Sequence, residues 1–204
     1  MRICPLCIVG SGILLASVGL IGIAPMVGAG ERPAPLAADG YAVDGTHSFV
    51  NFRVKHNNVA YAYGRFDKVS GSFNFEEGKP ESGSLDITVD TASISSGNGK
   101  RDDHLKSQDF FSVKEFPTAS FKSTGMKKDG ENLIATGDFT MHGVTKSITV
   151  PIDVVGFGEG RGGAKIAGFE AKVTVKRSDY GMTFMQGPLG DEVTIIVSCE
   201  GTKK

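Results

Sequence analysis

The chain has 204 residues, with 22 Lys and Arg against 23 Asp and Glu, a formal net charge of −1. That balance supplies no basic footprint for nucleic acid or for an anionic membrane surface. Its 28 glycines are about twice ordinary usage without a G-X-Y period, and 13 Phe with no Trp carry the aromatic surface, which excludes collagen and points to a glycine-rich β domain.

The first 30 residues differ from the rest. Arg2 is the only charged residue before Glu31, and Ile8 to Ala24 is an apolar run diluted by Gly10, Gly12, Gly19 and Gly22 and closed by Pro25. One positive residue, an apolar stretch and Val27-Gly28-Ala29 with small residues at the cleavage positions read as a secretion signal peptide over 1–29, with an uncleaved anchor as the alternative. Residues 30–40, containing Pro33 and Pro35, read as an extended tether, and 41–200 as the domain. Removal of the leader takes away Cys4 and Cys7 and leaves Cys199 alone, so no internal disulfide can form. The domain must stand on its apolar core, and no stable membrane span remains after signal cleavage.

From Val50 onward, strict alternation recurs. Val50, Phe52, Val54 and His56 share one face; Val69, Gly71, Phe73 and Phe75 follow, then Leu85, Ile87 and Val89. After Ala119 and Phe121 come Leu133, Ala135, Gly137, Phe139 and Met141, then Ile148, Val150, Ile152 and Val154. Phe169, Ala171, Val173 and Val175, then Val193, Ile195, Val197 and Cys199, complete the series. Turn signals separate them at Glu77 to Pro80, Lys128 to Glu131 and Gly156 to Ala164. About eight antiparallel strands with one apolar face make a closed barrel or a sandwich. One segment breaks the rhythm: Asn98 to Phe111 places Leu105, Gln108 and Phe111 at helical offsets behind an Asn N-cap, with a second turn at Asp109 to Val113 and a stop at Pro117.

Chemistry-bearing patterns are sparse. Of His47, His56, His104 and His142, the first two stand at an odd offset that a regular strand sends to opposite faces, and no His or Cys pair has zinc-site spacing, so no metal site is expected. There is no G-x-S-x-G elbow, and Cys199 sits at an alternating apolar position that suits a buried inert thiol. Gly97-Asn98-Gly99-Lys100 has Arg101 where a phosphate loop needs Ser or Thr. Phe next to basic residues, as at Phe52-Arg53 and Phe121-Lys122, falls on the apolar face and forms no base-stacking platform. What remains is the interior. Large Phe mixed with Ala119, Ala135, Gly137 and Ala171 leaves two possibilities, a packed core or a cavity for an apolar ligand.

Several strings together resemble the YceI-like family of secreted bacterial lipid- or polyisoprenoid-binding proteins. They are Asp44-Gly45-Thr46-His47-Ser48 before Phe52-Arg53-Val54-Lys55-His56, and Gly64-Arg65-Phe66 before Val69-Ser70-Gly71. Arg101-Asp102-Asp103-His104-Leu105-Lys106-Ser107 with Asp109-Phe110-Phe111 follows, then Phe116 to Phe121, Gly137 to Lys146 and Lys176 to Met182. The resemblance spans Tyr41 to Cys199. It implies an all-β, lipocalin-like antiparallel eight-stranded β-barrel with a short helical insert, around an elongated apolar tunnel. It implies a periplasmic or secreted binding protein, monomer or homodimer, that holds a long-chain isoprenoid or fatty amphiphile without cofactor or chemistry. Phe52, Val54, Phe66, Phe73, Ile87, Phe121, Phe139 and Val173 would line the tunnel, with Leu105, Phe110 and Phe111 covering its mouth. His56, Asp103, His104 and Arg177 would meet a polar headgroup or tie the insert to the barrel. Thr183 to Asp191 departs from the family pattern, and Met182, Phe184 and Met185 are mouth or loop-cover residues. Two other readings are carried: an envelope interaction module with a filled barrel, and an enzyme using His56 or His104 as a general base.

Overall fold

Side chains that alternate in polarity suit a surface wet on one side and dry on the other, and the chain from Tyr41 onward follows that rule. The computed structural model describes residues 40–204; the leader and all but the last residue of the tether lie outside the described residues. In chain order the elements are β1 (Tyr41–Val43), β2 (Phe49–His56), β3 (Ala60–Phe66), β4 (Val69–Asn74), β5 (Ser84–Asp90), β6 (Ile94–Ser95), α1 (Gly99–Lys106), β7 (Thr118–Asp129), β8 (Asn132–Met141), β9 (Val144–Glu159), β10 (Lys165–Lys176) and β11 (Leu189–Lys203).

These strand segments close into eight antiparallel staves, because the first three staves are each broken once. β1 and β2 form one stave, β3 and β4 the next, since β2 pairs β3 while β1 pairs β4. β5 and β6 form the third, pairing β4 and β3 respectively. From β7 to β11 each strand pairs its successor, and β11 returns to β2 and β1 to close the ring. The breaks are stitched to one another: Asp67 N donates to Ser93 O at 3.1 Å, Lys68 N to Ser93 Oγ at 3.0 Å, and Asp90 N to Lys68 O at 3.1 Å. A closed ring leaves few free sheet edges, which suits a domain with one thiol and no staple.

Two differences from the alternation reading have physical causes. β3 carries Tyr61 and Tyr63 outward, 48% and 59% exposed, opposite Ala62 and Gly64, so until Phe66 turns inward its large side chains face solvent and its small ones the interior. The glycine-rich stretch expected as a turn over Gly156 to Ala164 begins as strand: β9 runs to Glu159, and a tight turn at Arg161–Gly163 precedes β10. At the β8–β9 hairpin, Met141 pairs Val144 across His142 (φ 52°) and Gly143 (φ 74°), a two-residue turn of positive φ that twists with the strands.

The helix forms where expected but is shorter. Asn98 accepts from Arg101 N through its side chain at 3.1 Å, and the helix ends at Lys106. None of its residues is buried. Its attachment is a polar clasp at Ser96, whose N–H donates to Asp102 Oδ1 at 2.8 Å and whose hydroxyl and carbonyl accept from Arg101 Nε and Nη2 at 2.7 and 2.6 Å. The Ser96 hydroxyl also donates to Asp102 Oδ1, and this bond, with the backbone one, holds the Asp102 carboxyl below its ordinary pKa. Turns over Ser107 to Phe116 then carry Phe110 and Phe111 back onto the barrel.

Candidate functional site: an apolar cavity under the insert

The far end of the barrel is filled. Tyr41 stacks on Phe73 with ring centroids 5.4 Å apart, and Phe73 meets Phe169 edge-on at 5.1 Å and Phe75 at 5.6 Å. Phe73, expected on the tunnel wall, lies instead in this floor, 2% exposed and off the cavity lining. Its position at the start of the barrel, beside β1, accounts for the difference: the face is right, the depth is not.

Above the floor the interior is open. A cavity of about 150 Å³ has a lining that is apolar except at Ser120 and Arg177. Among its walls are Phe52 and Val54 of β2, Phe66 of β3, Ile87 of β5, Phe121 of β7, Phe139 of β8 and Val173 of β10, with Leu105, Phe110 and Phe111 of the insert above them. Along β10 the wall extends from Phe169 to Val175, about 20 Å at ~3.3 Å per residue. Phe52, Phe121, Phe139, Val173, Ile195 and Val197 point inward yet are only partly buried, since no side chain opposes them across the space. Water gains little here, because a buried water needs two to four polar partners and the walls offer almost none.

Of the small inward residues, Ala119 and Ala171 line this space, whereas the glycines do not open it. The ring of Phe52 lies where a Cβ on Gly64 would sit, 2.3 Å from Cζ, and the ring of Phe121 occupies the corresponding place at Gly137, 2.7 Å away. Each glycine lets a phenyl ring lie against the wall, and the central channel stays clear. Val193, Ile195 and Val197 of β11 belong to the same lining, and their alternation is plain in the sequence. Met182 and Leu189 also reach it, from irregular or terminal positions that carry no periodic signal.

The polar candidates are arranged otherwise. His56 and Asp103 are off the cavity lining, and neither is buried. His104 Nε2 is 2.8 Å from Asp109 Oδ2, and its ring packs edge-on to Phe110 and Phe184 at 5.1 and 5.3 Å, so it ties α1 to the turns beyond it. It too is off the lining, so neither histidine considered as a base touches the cavity. Arg177 does reach it and is 2% exposed. Its Nε donates to Gly190 O at 3.0 Å, Nη1 to Met182 O at 2.8 Å and Phe184 O at 2.7 Å, and Nη2 to Leu189 O at 3.1 Å. Burial pulls its pKa down and the Asp191 carboxylate opposes that shift. The guanidinium fastens the 182–190 loop rather than the helical insert. On the opposite side, Asp44, His47 and Glu200 place three ligand-type atoms within 4.8 Å of one another; His47 Nδ1 is engaged by Asp44 Oδ2 at 2.8 Å.

An eight-stranded ring with a helical insert and an apolar interior is the arrangement against which known proteins can be compared. The YceI-like domain matches residues 41–201. This chain belongs to the YceI-like family. Among curated relatives, protein YceI of Escherichia coli O157:H7 is 40% identical over 171 residues, 83% of this chain and 89% of that protein. A UPF0312 protein of an Enterobacter species is 42% identical over 171 residues, 83% and 88% of the two chains. Of solved structures, BcnA of Burkholderia cenocepacia superposes with a TM-score of 0.71 at 27% identity, covering 78% of this chain and 99% of that one. The YceI protein of Campylobacter jejuni gives 0.64 at 29%, over 74% and 90%. A polyisoprenoid-binding domain from Saccharophagus degradans gives 0.60 at 16%, over 80% and 98%, a likeness of fold alone. Among the described residues no helix is long and apolar enough to cross a membrane.

Proposed function

We propose that this chain is an exported binding protein, periplasmic or secreted, that holds a long isoprenoid or other acyl-chain amphiphile in the barrel and performs no chemistry on it. One observation carries the reading: inward Phe52, Phe121, Phe139 and Val173 remain partly uncovered around an apolar cavity. A protein gains about 0.8 kcal/mol for each CH₂ transferred from water to such a lining, less the ligand's ordering entropy. A barrel built only as a scaffold would have filled that space, since unfilled apolar volume weakens a core. The Saccharophagus protein with this frame is a polyisoprenoid-binding domain, and membership of the YceI-like family supports a lipidic ligand for this chain. The leader supports export.

Native mass spectrometry on the full chain, purified gently from its own host, tests the reading. A reproducible hydrophobic adduct is expected. Ligand-free protein that also ignores added farnesol and palmitate would overturn it.

A further inference from the structure

The barrel wall has a split. β9 and β10 pair only between Lys165↔Glu159 and Ala171↔Ile152. Toward the insert, β9 stays with β8 down to Val144 and β10 stays with β11 up to Lys176, so the two strands part while each keeps its other neighbour. A groove occupies the split. Lys146 and Ile148 line it from β9, Val175 and Lys176 from β10, and Asp179 and Tyr180 from the turn that follows. Ile148 and Val175 are also walls of the central cavity, so the groove and the cavity share those side chains.

The groove is polar where the cavity is not. Lys146 stands opposite Phe139 in register, at a position whose parity points inward, yet it carries an ammonium group. That group is 3.3 Å from Asp179 Oδ1 and 5.8 Å from the ring centroid of Tyr180, itself 2% exposed and edge-on to Phe139 at 5.3 Å. Lys146, Lys176 and Asp179 are the charged residues of the lining, two lysines to one carboxylate, beside an apolar space.

We propose that the β9–β10 split is a headgroup subsite for an anionic amphiphile, with a phosphate or carboxylate on Lys146 and Lys176 and its chain passing between Ile148 and Val175 into the cavity. The proposal rests on the cavity reading above and adds the charge class of the ligand and its route through the wall. Charge-assisted hydrogen bonds discriminate between charged and neutral heads, and solvent moderates the effect here, with the Lys146 and Asp179 side chains 43% and 50% exposed.

Titration calorimetry of the full chain with farnesyl phosphate and with farnesol provides the test. Farnesyl phosphate is expected to bind about tenfold tighter or more, with a margin that shrinks as ionic strength rises. Lys176→Met should reduce the margin and Asp179→Asn should widen it, farnesol binding in both variants reporting an intact fold. Farnesol and farnesyl phosphate binding equally, or a margin that neither variant moves, would overturn the subsite and leave the cavity reading standing. Neither ligand binding would overturn both. Inorganic phosphate displacing farnesyl phosphate at equal concentration would mark a free-anion site and overturn the threaded chain.

Discussion

Phe111 of the insert meets Phe66 of β3 edge to face, with ring centroids 5.5 Å apart and planes at 87°. Phe66 also pairs with Ile94 of β6, the segment from which the chain departs toward α1. The insert therefore leaves the barrel and returns its apolar foot at one place. Since no residue of α1 is fully buried and Leu105 alone of them packs on the core, this ring pair and the Ser96 clasp contribute much of what seats the cover.

A double-mutant cycle on Phe66→Leu and Phe111→Leu should show a coupling of about 0.5–1.5 kcal/mol in urea unfolding. Ligand dissociation from the Phe111→Leu protein should be faster than from wild type. An additive cycle with unchanged dissociation would show that the pair does not hold the cover.

Filling the cavity should separate stability from binding. Ala171→Phe places a ring in the open space; bound hydrophobic material should be lost while the melting temperature holds or rises. By contrast, Phe73→Ala removes the centre of the floor and should cost about 3–5 kcal/mol. Chemical denaturation and native mass spectrometry of both variants check the pair of outcomes.

Replacing Arg177 by Met leaves the carbonyls of Met182, Phe184, Leu189 and Gly190 without their donor. The expected destabilisation is about 3 kcal/mol, with faster amide exchange confined to 182–190, and Lys should restore only part because it lacks the guanidinium fork. Exchange that stays at the wild-type rate across this loop would remove Arg177 from the role.

Cys199 is 3% exposed, and burial pushes its thiol up to about 11. In the folded protein it should resist alkylation by iodoacetamide at about pH 8 and react at the rate of a free thiol only in denaturant. Rapid modification of native protein would contradict its placement.

The Asp44–His47 pair sets a pH window on the turn between β1 and β2. The side-chain bond from Asp44 raises His47 above its ordinary 6.5, and the bond from His47 lowers Asp44 below 3.8. A histidine raised in this way contributes fully below its ordinary value and loses its contribution as pH rises through its folded value. A lowered aspartate contributes above its ordinary value and loses that as pH falls through its folded value. Proton titration of His47 by NMR should give a value above 6.5 that Asp44→Asn returns toward it; no change in that variant would dismiss the pairing.

Much of this is legible in period-two alternation, and the reason is visible in the floor and walls. A strand with one wet face must place its apolar side chains at every second position, so Phe52, Phe121, Phe139 and Val173 announce the face they share. Alternation says which side a residue faces, not how far along the barrel it sits, which is why Phe73 reads the same as Phe121. β3 escapes because its tyrosines point outward and its alanines inward. Arg177 stands out as a motif residue, but a guanidinium reaching four carbonyls of one loop depends on a chain path that spacing does not encode. Gly137 reads as a vacancy in the wall; it is, like Gly64, a seat for a phenyl ring.

The floor made by Tyr41, Phe73, Phe75 and Phe169 has a consequence for what the barrel can hold. A container closed at the bottom has a depth, and a chain entering from the insert end can descend only as far as Phe169. Atoms beyond that depth must stay above the rim or fold back within it. For an amphiphile held as proposed, these rings would act as a ruler, fixing how much of its tail is hidden from water and how much is left for other molecules to grasp.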